Sequence, residues 1–436
     1  MKRNVLLVSM LFAGISTAQA GGYMVGEMAT RATGMASAFT AVADDASAAW
    51  HNPAGVAFTT GKQLMLGGDV ILTSNDFAAN ASNPLPTATS KAKNGTFIVP
   101  HAYFTYWDEE SSLGASLSIN SPFGLETDWP TTAAFASKNT FSRINMVMVN
   151  PSVIFQISDN LSFAAGLDYG YINKVDLNNT VQLLSGKGDG WGGNASIFYK
   201  GEGFNFGVTY RSRIKVNVDG TATAVAGGAL AAAPFGATTS SATTSVTLPD
   251  QVNVGLAFMP NDKWTLSVDA DWVNWKTFKS IDINYASAAY RGAVGGLTVA
   301  AGGGGAGAIG AAIVAQTGST SLPQNWKATV DLRVGAEWKY LPNMRARFGY
   351  IFSPTPIKDV DFSPSIPGND RHIMSIGHGY DFTPDTTLDL AYAYVYINKR
   401  NQIQSPATPV GAPNSVKNGI YKGNAHILAA SINHSF

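Results

Sequence analysis

The sequence predicts an all-β protein, a transmembrane antiparallel up-and-down β-barrel of about 14 strands, with an N-terminal hatch or plug in its lumen. Three observations predict it: period-two alternation recurs over strand-length segments, short and long connectors alternate along the chain, and charge is scarce. Only 13% of the 436 residues are Asp, Glu, Lys or Arg, against about 25% in soluble globular proteins. With 45% hydrophobic and 11% aromatic residues the chain is not disordered. Having no Cys, it is neither a disulfide scaffold nor a thiolate metal protein. Its 29 basic residues balance 29 acidic ones, which leaves no electrostatic footprint for nucleic acid.

Taken in order, residues 1–20 read as a secretory signal. Lys2 and Arg3 form the charged start, Val5 to Ile15 the apolar stretch, and Ala18-Gln19-Ala20 the small-residue cleavage site. A spanning helix needs roughly 20 consecutive apolar residues, and nothing after Ala20 supplies them. The uncharged run from Gly292 to Gly318 is mostly Gly and Ala, and reads as a flexible loop or an apolar landing surface. Residues 21–61 carry small residues without sustained alternation and are expected to form the plug; residues 62–436 are expected to form the barrel.

Within the barrel, Ala328, Val330, Leu332, Val334, Ala336, Trp338 and Tyr340 alternate with Lys327, Asp331, Arg333, Glu337 and Lys339. Such alternation marks a strand whose faces meet different surroundings. Similar patterns run through Leu161 to Tyr171, Phe204 to Tyr210, Leu266 to Trp272, Ala346 to Phe352 and Leu388 to Tyr396. A sandwich also alternates, so connector lengths decide. Tight turns at Asp108–Ser111, Ser158–Asn160, Lys200–Gly203, Pro260–Lys263, Leu341–Asn343 and Thr383–Asp385 alternate with long connectors. These connectors lie near Asp76–Gly95, Leu125–Asn139, Asp176–Gly188, Asp219–Ser241, Ser280–Trp326, Ser353–Asp370 and Lys399–Gly423. Short periplasmic turns and long extracellular loops make this pattern in outer-membrane barrels. Pro122 removes a ladder donor and Gly124 weakens pairing, so a local break in the third strand is expected over Asn120, Ser121, Pro122, Phe123 and Gly124.

The plug segment, with Gly34 to Ala38, Ala43-Asp44-Asp45-Ala46 and Asn52-Pro53-Ala54, resembles the N-terminal hatch of the long-chain fatty-acid outer-membrane transporters, the FadL type, which includes aromatic-hydrocarbon channels. Asn120 to Leu125, Tyr210-Arg211-Ser212, Leu248-Pro249-Asp250, Ser353 to Pro356, Ile366-Pro367 and Asp370-Arg371 extend the resemblance over the mature chain. It implies a passive channel for long-chain fatty acids or similar hydrophobic molecules, with an extracellular-side site, a hatch rearrangement and lateral exit at the kinked third strand. Gly21, Gly22, Gly26 and Gly34 could supply backbone freedom for that rearrangement.

It also implies ligand contacts at Lys174, Lys327 and Tyr23, and a hatch motif at Asn52, Pro53 and Ala54. By strand parity both lysines point into the lumen toward the extracellular half; as lumen residues they could equally pair with acids such as Asp331. A lysine offers a carboxylate a point charge in place of the bidentate fork of arginine. Aromatic-hydrocarbon uptake is the alternative within the family, and an outer-membrane lipid hydrolase an alternative outside it.

Other signals carry little. Gly305 to Gly310 fits G-x-G-x-x-G, but no βαβ unit surrounds it. The six histidines include no H-E-x-x-H. No catalytic residue, metal or cofactor is expected. The expected surroundings are outer-membrane lipids and lipopolysaccharide, with the chain a monomer in the bacterial outer membrane.

Overall fold

Val330, Leu332 and Val334 are 43%, 52% and 46% exposed, while Thr329, Asp331 and Arg333 between them are buried. The period-two reading thus turns into two faces of one wall, an apolar face outside and a polar face inside. Lipid demands this arrangement, because every backbone donor and acceptor must be satisfied by a closed ladder.

The computed structural model describes residues 22–225, 238–294, 319–403 and 415–436. The signal reading of residues 1–20, the G-x-G-x-x-G match and most of the Gly292–Gly318 run lie outside them.

The described chain forms a closed antiparallel barrel of 14 strands. In order these are β1 (Lys62–Ala79), β2 (Gly95–Asp108), β3 (Leu113–Asn120 and Gly124–Asp128), β4 (Phe141–Ser158) and β5 (Leu161–Asn178). There follow β6 (Gln182–Lys200), β7 (Phe204–Arg211 and Ile214–Ala224), β8 (Thr239–Leu248 and Gln251–Asn261) and β9 (Trp264–Val273 and Ser280–Tyr285). The wall is completed by β10 (Ser319–Pro323 and Thr329–Leu341), β11 (Met344–Ser353), β12 (Arg371–Thr383), β13 (Thr386–Gln402) and β14 (Gly419–Ser435). β14 pairs with β1 from Gln63 opposite Ser435 to Ala79 opposite Gly419, and so closes the barrel. No described helix is long and apolar enough to cross a membrane.

The tight turns fall where expected, but several strands run further than the alternation indicated. β5 and β6 continue to Asn178 and Gln182, so the long connector expected over Asp176–Gly188 is a hairpin with a short tip. The Asn179 side chain caps that tip by accepting from the amides of Val181 and Gln182 at 2.7 and 2.9 Å.

Breaks in β7 to β10 line up. Arg211 pairs with Gln251, Gln251 with Val273, and Val273 with Thr329, so the interruptions of four neighbouring strands begin in one row. At this crease the wall turns Trp275, Phe278 and Trp326 inward, where all three are buried.

Before β1 lie two short helices, α1 (Thr30–Gly34) and α2 (Ala48–His51), and a 3-10 turn over Pro53–Phe58. Nearly every residue of this N-terminal segment is buried against inward-facing wall residues.

Candidate functional site

Below the crease, the wall meets residues 34–41 through glycines. Gly207, Gly255, Gly335, Gly349 and Gly377, on β7, β8, β10, β11 and β12, each bring main chain or a small side chain of this stretch so near that a Cβ would collide. On Gly335 it would stand 2.5 Å from the Met35 carbonyl oxygen, and on Gly377 2.9 Å from the Gly34 Cα. The small residues Gly34 to Ala38 thus have a counterpart in the wall, since close backbone approach needs the side chain missing on both sides.

Polar contacts fix the same segment. The Asp269 carboxylate accepts from the amides of Phe39 and Thr40 at 2.9 and 2.8 Å. Arg31 reaches Asp44 at 2.5 Å and Glu337 at 3.0 Å; Glu337 also holds Arg347 at 2.6 Å, which in turn meets Asp389 at 2.6 Å. Asn52 donates to the carbonyls of Thr40 and Ile197 at 2.9 and 3.1 Å. Pro53 opens the 3-10 turn, where its missing N–H costs nothing. Ala54 donates to the Ser196 hydroxyl at 3.1 Å and accepts from the Ser162 hydroxyl at 2.6 Å. The motif Asn52, Pro53, Ala54 is therefore tied to β5 and β6.

The third strand is interrupted where its Pro and Gly stand. Asn120 pairs with Met148 and Gly124 with Asn145 on β4, so three residues, Ser121, Pro122 and Phe123, face two. On the other side, pairing with β2 stops at Ala102 opposite Ile119. Gly95 to His101 have no ladder partner on β3, and contact resumes only where the Lys93 amide meets the Asp128 carbonyl at 2.8 Å. The N-terminal segment takes up the freed groups. Val25 donates to the Pro122 carbonyl at 2.8 Å, Gly124 donates to the Tyr23 carbonyl at 2.9 Å, and Met24 lies opposite Phe123.

Tyr23 is fully buried. Its ring lies 4.9 Å from that of Trp275, 5.4 Å from Phe278, 5.8 Å from Trp326 and 5.9 Å from Phe123, in edge-on or tilted geometries that aromatic pairs favour. Its hydroxyl is buried without a hydrogen-bond partner among the described residues.

This aromatic group adjoins a cavity of about 390 Å³, within the range usual for small-molecule sites. Tyr23, Val175, Val218, Val246, Phe278 and Ile366 supply apolar lining. Its wall residues come from β3 to β6 and from the upper halves of β7 to β10, whereas the glycines that hold residues 34–41 lie on the lower halves of β7, β8 and β10 and on β11 and β12. Cationic groups on the lining are Lys138, Arg143 and Lys417. Arg143 is engaged by Asp176. Lys417 donates to the Phe362 carbonyl at 2.8 Å, and burial, then the neighbouring Lys138, push its ammonium down to about 8 against the pull of Asp361.

Of the residues singled out by sequence, Tyr23 meets Phe123 and Gly124 at this cavity, but neither Lys174 nor Lys327 lines it. The register of β5 shifts between Ile172 and Val175. One extra residue reverses the alternation, so Val175 takes the cavity side and Lys174, half-exposed, lies 3.9 Å from Asp176. Lys327 sits in the break of β10, where Asn325 adopts a φ of 44° and the inward position passes to Trp326; Lys327 itself is exposed. Strand parity could not survive these two irregularities. Lys138 and Lys417 escaped notice because they stand in loops far apart in sequence, where no periodicity marks them.

The family profile described as outer membrane protein transport protein (OMPP1/FadL/TodX) matches residues 11–436. The chain is 23% identical to outer membrane protein P1 of Haemophilus influenzae, covering 100% of this chain and 99% of that one. It is 24% identical to the long-chain fatty acid transport protein of Escherichia coli K12, covering 88% and 89%. Among solved structures, a Pseudomonas aeruginosa FadL homologue superposes with a TM-score of 0.75 at 17% identity, covering 97% and 100%. The Pseudomonas putida toluene transporter TodX gives 0.61 at 15%, covering 90% and 94%. These structural likenesses show a shared fold.

Proposed function

Because the chain belongs to the outer membrane protein transport family OMPP1/FadL/TodX, we propose that it is a passive channel for long-chain fatty acids or similar hydrophobic molecules crossing the bacterial outer membrane. The observation that carries this reading is an apolar cavity beneath the long loops, whose floor residue Tyr23 is bonded through its main chain to the broken third strand.

Each CH₂ buried there contributes about 0.8 kcal/mol, so a long tail enters without an energy source but leaves slowly from a rigid pocket. Release requires the floor to move. Residues 21–61 act as the hatch in this reading: when Tyr23 to Val25 withdraw, Pro122 to Gly124 lose their main-chain partners and the wall between β2 and β3 becomes the lateral exit. The outer apolar band meets membrane lipid and lipopolysaccharide, and a single chain suffices for the route.

Uptake of a labelled long-chain fatty acid by cells lacking other uptake proteins tests the reading. Expression of the protein should restore uptake without a metabolic energy source, and lipid extracted from the purified protein should contain fatty acid. No uptake and no co-purifying lipid would refute it. Uptake of small aromatic hydrocarbons is the second reading, favoured by the four rings around Tyr23. An extract holding aromatic hydrocarbon instead of fatty acid would decide for it.

A further inference from the structure

We propose that Lys399, Lys422, Lys91 and Lys93 form an outward-facing docking row for the phosphate groups of lipopolysaccharide in the outer leaflet. The row lies on the lipid side of the wall and is separate from the cavity and its cargo.

Strand register sets these lysines at one level. On β14 Lys422 lies opposite Asp76 of β1, and Asp76 lies opposite Lys91 of the short strand Thr89–Lys91. On the other side of β14, the ladder with β13 passes from Ile397 opposite Gly423 to Arg400 opposite Tyr421, so Asn398 and Lys399 bulge against Lys422. Ile397 and Arg400 are both buried, which turns Lys399 outward. Phe77 and Tyr421 are buried as well, so their neighbours Asp76 and Lys422 face out. All four lysines and Asp76 are exposed, and none of the four lysines forms an ion pair among the described residues. Lys93 ends the row at the head of the seam between β2 and β3, where its amide meets the Asp128 carbonyl at 2.8 Å. An open groove there is lined by Lys91, Lys93 and Asn94 together with Asp128. On β6 and β7, by contrast, outward Lys187 and Lys215 are balanced by Asp189 and Asp219, with Lys187 directly opposite Asp219.

The height of the row fits a lipid head group. Below it on the outward face stand Tyr396, Asn424 and Ser74, then Tyr394, His426 and Leu72, with His426 joined to Tyr392 at 2.8 Å. These residues are the girdle that borders the apolar band, and exposed Leu428, Ile432 and Leu66 continue the band beneath. Two residues up a tilted strand is about 5 Å, within the head-group layer of roughly 5–7 Å on each side of the hydrocarbon core. The width speaks for more than one phosphate. Three strand spacings, about 14 Å, separate Lys399 from Lys91, and Asp76 divides the row into two cationic poles, Lys399 with Lys422 and Lys91 with Lys93. A phospholipid diester brings one phosphate to such a row. Lipopolysaccharide brings several on one sugar head, and its acyl chains then lie along the apolar band below.

The test is native mass spectrometry of the purified barrel in detergent, titrated with a rough-form lipopolysaccharide, with the same glycolipid after removal of its phosphates, and with phosphatidylglycerol. The variants are Lys399→Gln with Lys422→Gln, Lys91→Gln with Lys93→Gln, the same two pairs changed to Arg, and Lys187→Gln with Lys215→Gln as a control on the balanced flank. Resistance of the folded form to heating checks that each variant is intact. Each Gln pair in the row should weaken the intact glycolipid about thirtyfold, at about fivefold for each lysine near a membrane surface. The Arg pairs and the control should keep native affinity, and the dephosphorylated glycolipid should bind weakly and equally to every chain. Equal binding of intact and dephosphorylated glycolipid, or a loss in the row no greater than in the control, overturns the site. Phosphatidylglycerol bound as tightly as the glycolipid, with the same dependence on the four lysines, overturns lipopolysaccharide as its occupant.

Discussion

Met24 lies directly opposite Phe123 in a two-residue antiparallel bridge, flanked by the bonds Val25 to Pro122 and Gly124 to Tyr23. The break in the third strand is thus stitched from inside by the segment whose Tyr23 also lines the cavity. In such a pair the two Cα atoms are about 4.5 Å apart, within reach of a disulfide.

The chain has no native Cys, so Met24→Cys with Phe123→Cys gives a single switchable tether. Oxidised, the double variant should lose most uptake of fatty acid while retaining binding; reductant should restore uptake. Equal uptake in both redox states would show that the bridge need not open.

Gly349 faces the Ala36 amide and side chain. Gly349→Val should overpack this contact, at a cost of about 1–3 kcal/mol, and displace residues 34–41. Planar-bilayer recordings should then show higher ion conductance than the native barrel. Phe348→Val on the outward face, where the native residue is 50% exposed, should leave conductance unchanged.

Glu337 stands between Arg31 and Arg347. Glu337→Gln should destabilise the barrel by about 3–5 kcal/mol, because it leaves two guanidinium groups undercompensated in a buried setting. Arg345→Gln breaks a more exposed pair with Asp381, 2.7 Å apart near a tight turn, and should cost less than about 1 kcal/mol. Thermal unfolding midpoints in detergent distinguish the two.

Affinity for a carboxylate should depend on pH with a definite sign. Lys417 in the empty site loses its proton near pH 8, and a bound carboxylate favours the charged form, so binding takes up protons. Fatty-acid affinity should be constant between about pH 6, above the titration of the ligand's own carboxyl, and about pH 8, and fall above it, while the alcohol of equal chain length shows no such fall. Titration calorimetry in buffers of different ionisation enthalpy measures the proton uptake directly.

Most of the wall was legible because lipid outside and polar residues inside impose alternation, as in Thr329 to Val334. Legibility stopped where that contrast stops. Asn178 to Leu184 belong to the tip of a hairpin, where the strands continue without alternation of apolar and polar residues. At Lys174 and Lys327 a bulge and a break reversed the faces, which no counting of residues reveals. The break at Pro122 was readable from the family resemblance, with Pro122 and Gly124 as physical support, whereas the crease from Arg211 to Thr329 depends on four strands agreeing in register. The glycines of the wall were visible only as composition until Gly34 to Ala38 were found lying on them.

The crease also divides tasks along single strands. Above it β7, β8 and β10 present Val218, Val246 and Leu322 to the cavity; below it the same strands present Gly207, Gly255 and Gly335 to the N-terminal segment. In the proposed reading, substitutions in the upper stretches reshape what is admitted without touching the glycines on which the N-terminal segment is seated. If that segment is the hatch, as proposed, a new cargo can be acquired by relining half a wall while the other half, and the opening it would control, is inherited intact.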